Sequence, residues 1–187
     1  MEKKLIITVG RQFGSGGKEI GIRVARELGI PFYDKELHEQ QLYAEQLIED
    51  FSAAIEEKQF KVFYQPKFDI RPDTPVLISA EALVRWFHPT LGMINPGIFI
   101  PLFENNGLIE LLDNYVWNVA AAQIKDWRDR FGFAIPVSVN VSRIDMYDPD
   151  LITNLTKICE SNGITNNELM LEVTESAYTQ DSEQIIE

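Results

Sequence analysis

The 187 residues carry a formal net charge of −12, which excludes a broad basic face for binding a nucleic-acid backbone. One cysteine excludes an internal disulfide and favours a reducing compartment. The apolar run near the N-terminus is too short for a signal peptide, and no later segment reaches the length of a membrane span. We therefore expect a cytoplasmic protein whose partners include neither nucleic acid nor a membrane.

Residues 1–40 predict a strand, a glycine loop, a helix and a second strand. Leu5–Val9 is a short apolar run typical of a buried parallel strand, and Ile30–Asp34 is predicted as the second strand. The helix between them is predicted to end at Gly29. Glycines let backbone N–H groups approach phosphate oxygens, and a helix N-terminus favours an anion. The candidate phosphate loop consists of Gly14, Ser15, Gly16, Gly17 and Lys18.

The loop departs from the standard phosphate-binding pattern, which requires a glycine at Gln12 and a serine or threonine at Glu19. The stretch GRQFGSGGKEIG resembles instead the N-terminus of the cytidylate kinase-like family, from about Leu5 to about Leu37. A kinase of that type needs a lid, a base-binding region and further strands, and we expect no segment after Leu37 to supply them. We therefore expect a P-loop-like βαβ fragment without kinase activity; a glycine loop that binds no ligand is the alternative.

Residues 41–187 predict a hairpin followed by alternating helices and strands. Glu36–Lys58 shows one long helical pattern, and two strand-like runs at 59–70 and 76–86 flank a turn-rich segment. Repeated βα units after a hairpin favour a parallel α/β barrel or sheet. The later predicted elements are a helix from Pro96 capped by Asn95, a helix closed near Gly132, a strand at Ile135–Ser142, a helix from the Asp148–Pro149 cap to Gly163, a strand at Glu168–Ser176 and a helix from Asp181.

Side chains alternate along three of these strands between an apolar and a polar face. If the apolar faces contact the helices, the opposite faces point into a barrel and bring Glu81, Asn140 and Glu172 together. Two carboxylates and an amide oxygen are a hard-oxygen set suited to Mg²⁺ or Mn²⁺. Arg85 shares the face of Glu81 and has the geometry to hold a phosphate. The alternative is that each polar side chain is satisfied by a structural neighbour.

Five motifs, in order, resemble the EAL family of cyclic di-GMP phosphodiesterases: YQPKFDI, EALVRW, PGIFIPLFENNG, NVS and LEVTESA. The resemblance runs from about Gln41 to the last residue. It implies an α/β, TIM-barrel-like fold with one antiparallel strand, and hydrolysis of cyclic di-GMP to linear pGpG with Mg²⁺ or Mn²⁺. The metal would polarise the phosphodiester and lower the pKa of bound water.

The motifs also imply residue roles. The resemblance makes Glu81, Asn140 and Glu172 metal ligands. It assigns catalysis to Glu81 and Glu175, the latter as the residue that steadies a catalytic loop. The positions that match contacts to the dinucleotide are Gln65, Leu83 and Arg85.

The family's DDFG motif, and the lysine, glutamate and glutamine of its later strands, do not occur in these 187 residues. We therefore expect a partial barrel, the N-terminal half of an EAL domain at 41–187, after a kinase-like fragment at 1–40. Such a chain lacks part of the metal and water-activating groups. Two other functions stay open: a non-catalytic module that binds cyclic di-GMP or a protein, with a homodimer completing the barrel, and a nucleotide kinase fragment.

Overall fold

The structure is a computed structural model that describes residues 7, 9 and 16–173. The chain divides into two compact units, Met1–Gln46 and Leu47–Glu187. Helix α1 spans Gly17–Leu28 and helix α2 spans Lys35–Glu49. As the sequence predicts, Gly29 closes α1 in a left-handed conformation with φ of 62°, and its N–H bonds to the last carbonyls of the helix.

The strand predicted at Ile30–Asp34 is wrong, because this segment has no regular structure. Pro31 lacks the N–H that a strand ladder requires, and Phe32 and Tyr33 are 42% and 65% exposed. A strand also needs a partner, and no strand occurs among the described residues of the first unit. Of the strand predicted at Leu5–Val9, only positions 7 and 9 are described. What is described of the βαβ segment is therefore one helix and the loop after it.

The second unit contains the predicted hairpin and the alternating helices and strands. Its elements are α3 (Phe51–Glu56), β1 (Phe60–Asp69), β2 (Val76–His88), β3 (Gly92–Ile94), α4 (Pro96–Asn106), α5 (Ile109–Phe131), β4 (Val137–Val141), α6 (Arg143–Met146), α7 (Leu151–Asn162) and β5 (Leu169–Val173). The predicted caps of α4 at Asn95, of α5 at Gly132 and of α7 at Gly163 are confirmed. The short elements β3 and α6 were not predicted, and the helix predicted from Asp181 lies outside the described residues.

The helix predicted without interruption over Glu36–Lys58 is instead two helices, because α2 ends at Glu49 and α3 begins at Phe51. The residue between them, Asp50, places its Oδ2 3.0 Å from Nε2 of the buried His88 at the end of β2. The break therefore coincides with a polar contact between the helical segment and the sheet.

The sheet has the strand order β1-β2-β4-β5, with β3 paired to β2. Strands β1 and β2 are antiparallel, whereas β2, β4 and β5 run parallel to one another. Because parallel strands share a direction, the carboxyl ends of β2, β4 and β5 lie at one edge of the sheet. The parallel βα architecture inferred from the sequence is therefore present.

The core of the second unit is aromatic beneath the hairpin and aliphatic beneath β4. Phe60 and Trp86 lie with ring centroids 4.9 Å apart, as do Phe51 and Phe103. All of these rings are buried, and they join the hairpin to α3 and α4. The apolar residues of β4 are fully buried against the sheet neighbours and α5: Val137, Val139 and Val141.

Two predicted apolar faces are only partly covered. On β2, Ala80, Ala82 and Trp86 are buried, but Val76 and Ile78 are 50% and 52% exposed. These two residues precede Ala80, where the pairing with β4 begins. On β5 only Leu169 is buried, whereas the remaining apolar positions, Leu171 and Val173, are 41% and 44% exposed. In the part of the chain that the structure describes, β5 pairs on one side only.

Among the described residues, no helix combines the length and the apolar composition that a membrane crossing requires.

Candidate functional site

One face of the sheet collects the polar residues predicted as ligands. Gln65 on β1 pairs with Glu81 on β2, and Asn140 on β4 pairs with Glu172 on β5. Glu81 in turn pairs with Ser138, two positions before Asn140. Since directly paired residues point to the same side of a sheet, and positions two apart do as well, all five side chains lie on one face. Glu81, Asn140 and Glu172 therefore share this face because of the strand register.

The ammonium group of Lys67 lies between the two carboxylates. Its Nζ is 2.7 Å from Oε2 of Glu172 and 3.5 Å from Oε2 of Glu81. It also donates a hydrogen bond of 3.2 Å to Oγ of Ser138. The hydrogen bonds from Lys67 and Ser138 lower the pKa of Glu172, and the bond to Glu172 raises the pKa of Lys67. At neutral pH Lys67 and Glu172 therefore form an ion pair.

Glu81 and Glu172 fit a hard divalent cation, because their carboxylates already contact one shared cation, the ammonium group of Lys67. Two glutamate oxygens converge on a single positive charge, and the amide of Asn140 belongs to the residue paired with Glu172. Carboxylate and amide oxygens are the donors that Mg²⁺ and Mn²⁺ prefer. Among residues 16–173, no group of three or more His, Cys, Asp or Glu side chains is arranged to hold a metal. The candidate ligands among these residues are thus two carboxylates and one amide.

The next residues of β2 extend the same face towards its carboxyl end. Leu83 and Arg85 follow Glu81 at alternate positions, and Leu83 pairs with Phe63 of β1. Phe63 and Phe87 lie with ring centroids 6.1 Å apart and are 51% and 41% exposed. The structure therefore places Arg85 and two accessible aromatic rings on the same face as the acidic cluster, and the guanidinium group donates a hydrogen bond of 2.8 Å to the Val84 carbonyl.

The remaining predicted site residues lie either outside the described residues or in the first unit. Glu175, Gly14 and Ser15 lie outside the described residues, so their predicted roles stay predictions. In the first unit, Gly16 is the left-handed N-cap of α1 with φ of 67°, and Nζ of Lys18 lies 3.6 Å from Oδ2 of Asp34. Gly17 is the first residue of that helix.

Sequence reasoning missed Lys67 and Ser138. The sequence holds a signal for each residue: Ser138 has the same strand parity as Asn140, and Lys67 belongs to the YQPKFDI stretch. What the sequence does not give is the register, which sets Lys67 opposite Ser79 and so within reach of both glutamates.

A hydrogen-bonded support lies directly behind Asn140. Nε1 of Trp117 on α5 donates to the Asn140 carbonyl at 3.1 Å. Two residues later, Ser142 caps α6 in a reciprocal arrangement, in which Asp145 accepts from the Ser142 N–H at 2.8 Å and donates its own N–H to Oγ at 3.2 Å. These bonds hold the end of β4 against α5 and fix the backbone that carries the amide.

Comparison with protein families decides the affiliation of the larger unit. The EAL domain model matches residues 48–187, which is more than half of the chain. The chain belongs to the EAL domain family. A second match, to the cytidylate kinase-like family, covers residues 6–69. Both predicted resemblances are therefore found, and the kinase-like match extends past Leu37 and overlaps the EAL domain match over 48–69.

Two curated proteins of Pseudomonas aeruginosa are similar to this EAL domain chain. The bifunctional diguanylate cyclase/cyclic di-GMP phosphodiesterase MucR is 32% identical over 155 residues, which are 83% of this chain and 22% of MucR. The cyclic di-GMP phosphodiesterase PA2567 is 34% identical over 161 residues, covering 84% of this chain and 27% of that protein. The chain thus spans about a quarter of the length of these relatives.

Solved structures agree with the fold. The MucR phosphodiesterase in complex with cyclic di-GMP superimposes with a TM-score of 0.67 at 34% identity, over 74% of this chain and 56% of that one. The predicted α/β, TIM-barrel-like EAL fold is therefore confirmed. EAL domains generally depend on a divalent metal, in agreement with the oxygen ligands predicted from the sequence.

Proposed function

We propose that the EAL part of this chain binds cyclic di-GMP beside a divalent metal and serves its hydrolysis to linear pGpG. The observation that carries the proposal is the convergence of Glu81 and Glu172 on one cation, with Asn140 paired to Glu172 and Arg85 on the same face. We also propose that this part begins near residue 41 and that residues 1–40 are a kinase-like fragment without catalysis of their own.

Each group has a role that its chemistry allows. Glu81, Asn140 and Glu172 would hold Mg²⁺ or Mn²⁺, and the metal, when bound, would polarise the phosphodiester and lower the pKa of a water molecule. Arg85 binds phosphate oxygens, because a planar guanidinium group matches their geometry. Gln65 and Leu83 orient the dinucleotide from the neighbouring strand positions. Glu175 is proposed to steady a loop near the metal.

Titration calorimetry with cyclic di-GMP and Mg²⁺ or Mn²⁺, followed by chromatographic detection of pGpG, tests this proposal. We expect the full chain to bind cyclic di-GMP only with metal present. We expect the Glu81→Gln variant to bind neither cyclic di-GMP nor the metal. Glu110→Gln, an exposed glutamate of α5, is the matched control and should behave like the wild type. Metal-independent binding, or equal binding by Glu81→Gln, contradicts the proposal.

A second candidate function, a cyclic di-GMP-binding module without turnover, is favoured by the partial ligand set among the described residues. The same experiment separates the two functions. Tight metal-dependent binding without pGpG identifies the module, whereas pGpG formation that disappears in Glu81→Gln identifies the enzyme. Light scattering during the experiment tests whether a homodimer forms when both ligands are present.

A further inference from the structure

We propose that Lys67 is an internal cation that competes with the divalent metal for Glu81 and Glu172 and so sets the metal affinity of the site. The inference rests on the proposed function, because it concerns the metal that these two glutamates would hold. It adds a residue of β1 that none of the sequence motifs assigns to metal chemistry.

The position of Lys67 is fixed by strand pairing. Lys67 lies opposite Ser79, and the β1–β2 register shifts directly after it, between Lys67 and Phe68. A register shift of this kind bends a strand and re-aims the side chains beside it. The result is a side chain that reaches across the sheet to Glu172 on β5, 105 residues further along the chain, at 2.7 Å.

Without metal, the ammonium group stabilises the cluster. Two carboxylates that lie close together repel each other unless a cation lies between them. The repulsion grows where water is partly excluded. Lys67 supplies this cation through contacts with both glutamates and with Ser138. The side chains of Lys67, Glu81 and Glu172 are 38%, 23% and 41% exposed, so the cluster is neither fully solvated nor sealed.

With metal, the same ammonium becomes an obstacle. A divalent ion bound to these carboxylate oxygens would lie within a few ångströms of a positive charge, and both cations require the same oxygens. Metal binding therefore requires Lys67 to move away. Its long stem and partial exposure allow this movement towards solvent, as is usual for lysine.

Manganese binding measured by electron paramagnetic resonance tests the competition, with Mn²⁺ as the probe and the full chain as the protein. We expect Lys67→Met to bind Mn²⁺ about tenfold more tightly than the wild type, because it removes the competing charge at similar length. Lys67→Arg keeps the charge and should keep the weak affinity. Lys61→Met removes another lysine of β1, which pairs with Arg85 of β2, and should leave the affinity unchanged.

Thermal melts of the same proteins give an independent measurement. Without metal, Lys67→Met should unfold at a lower temperature than the wild type, because the carboxylates lose their cation. On addition of Mn²⁺ the melting temperature of Lys67→Met should rise more than that of the wild type, since a ligand stabilises the state that it binds. Lys67→Gln, which keeps a hydrogen-bond donor for Ser138, replaces the methionine variant if the latter does not fold.

Two outcomes overturn the inference in different ways. Equal or weaker Mn²⁺ binding by the uncharged variants shows that Lys67 does not compete, and leaves the metal site itself intact. If neither the wild type nor any variant binds Mn²⁺, the metal site of the proposed function is wrong and the competition is wrong with it.

Discussion

Asp113 on α5 and Asp145 on α6 share a hydrogen bond, and Asp113 holds a proton at neutral pH. Burial, this hydrogen bond and the charges of Asp145 and Glu104 raise the pKa of Asp113 to about 9. Asp145 is itself buried and accepts hydrogen bonds from both the N–H and the Oγ–H of Ser142. The carboxyl pair therefore joins the helix α5 to the turn that follows the strand of Asn140.

Asp113 makes the stability of the protein depend on pH. Its folded pKa lies above the value of about 4 in an unfolded chain, so the folded state binds more protons between these two values. The stabilising contribution is complete below about pH 4 and is lost as the pH rises through about 9. We expect urea midpoints to fall from pH 6 to pH 9, and Asp113→Asn to reduce this fall, because its amide stays neutral and still donates to Asp145.

Asp129→Asn is the control for this prediction. It removes an exposed aspartate from the same helix and should leave the slope of stability against pH as in the wild type. An Asp113→Asn protein with the full wild-type slope would show that Asp113 is ionised in the folded state.

The aromatic cluster beneath the hairpin should dominate the stability of the second unit. Phe103 is completely buried and contacts Phe51 at a centroid distance of 4.9 Å and Phe99 at 5.6 Å. We expect Phe103→Ala to lower the free energy of unfolding by about 3–5 kcal/mol, as measured by chemical denaturation. Phe131→Ala, at a ring that is 56% exposed, should cost less than about 1 kcal/mol. Similar losses in both variants would contradict the assigned core.

Arg128 joins the end of α5 to the segment before β5. Its Nη1 donates to the Gly163 carbonyl at 2.8 Å, and its Nη2 donates to Glu168. Arg128→Lys keeps the charge but cannot make both bonds in the same geometry, so we expect a loss of about 1–2 kcal/mol in the free energy of unfolding. The control Arg130→Lys changes an exposed ion pair with Asp126 and should have almost no effect. Equal stability of the two variants would refute the connection.

Arg85 should determine affinity for the dinucleotide without affecting affinity for the metal. Lysine at this position keeps the charge but loses the paired donors for phosphate, so Arg85→Lys should weaken cyclic di-GMP binding about tenfold. Calorimetry measures this change, and Mn²⁺ binding should stay at the wild-type value. Arg71→Lys, at an arginine that is 88% exposed and bonded to Asp69, is the control. A parallel loss of metal binding in Arg85→Lys would place Arg85 in the metal cluster instead.

Much of the second unit could be predicted from local signals. The N-cap at Asn95 and the glycines at 132 and 163 end their helices as predicted, because each side chain or left-handed conformation satisfies helix groups within a few residues. Strand alternation also placed Glu81, Asn140 and Glu172 on the polar faces of their strands, since the period of two is a property of the extended backbone.

The errors arose where a distant partner decides the local structure. Ile30–Asp34 has the composition of a strand, but a strand requires a neighbour to accept and donate its hydrogen bonds. The pattern over Glu36–Lys58 is helical throughout, yet the helix is interrupted at Asp50, which contacts His88 on β2. Val76 and Leu171 have the parity of core residues but lie beyond the covered part of the sheet.

The sequence by itself determined which residue types form the site and which face of each strand they occupy, because helix caps and strand alternation depend only on nearby residues. Only the tertiary structure decided that Lys67 lies between Glu81 and Glu172. That contact depends on the register between β1 and β2 and on the parallel pairing of β4 with β5, which bring together residues far apart in the chain. Register is set by the packing of whole strands, so no short motif encodes it.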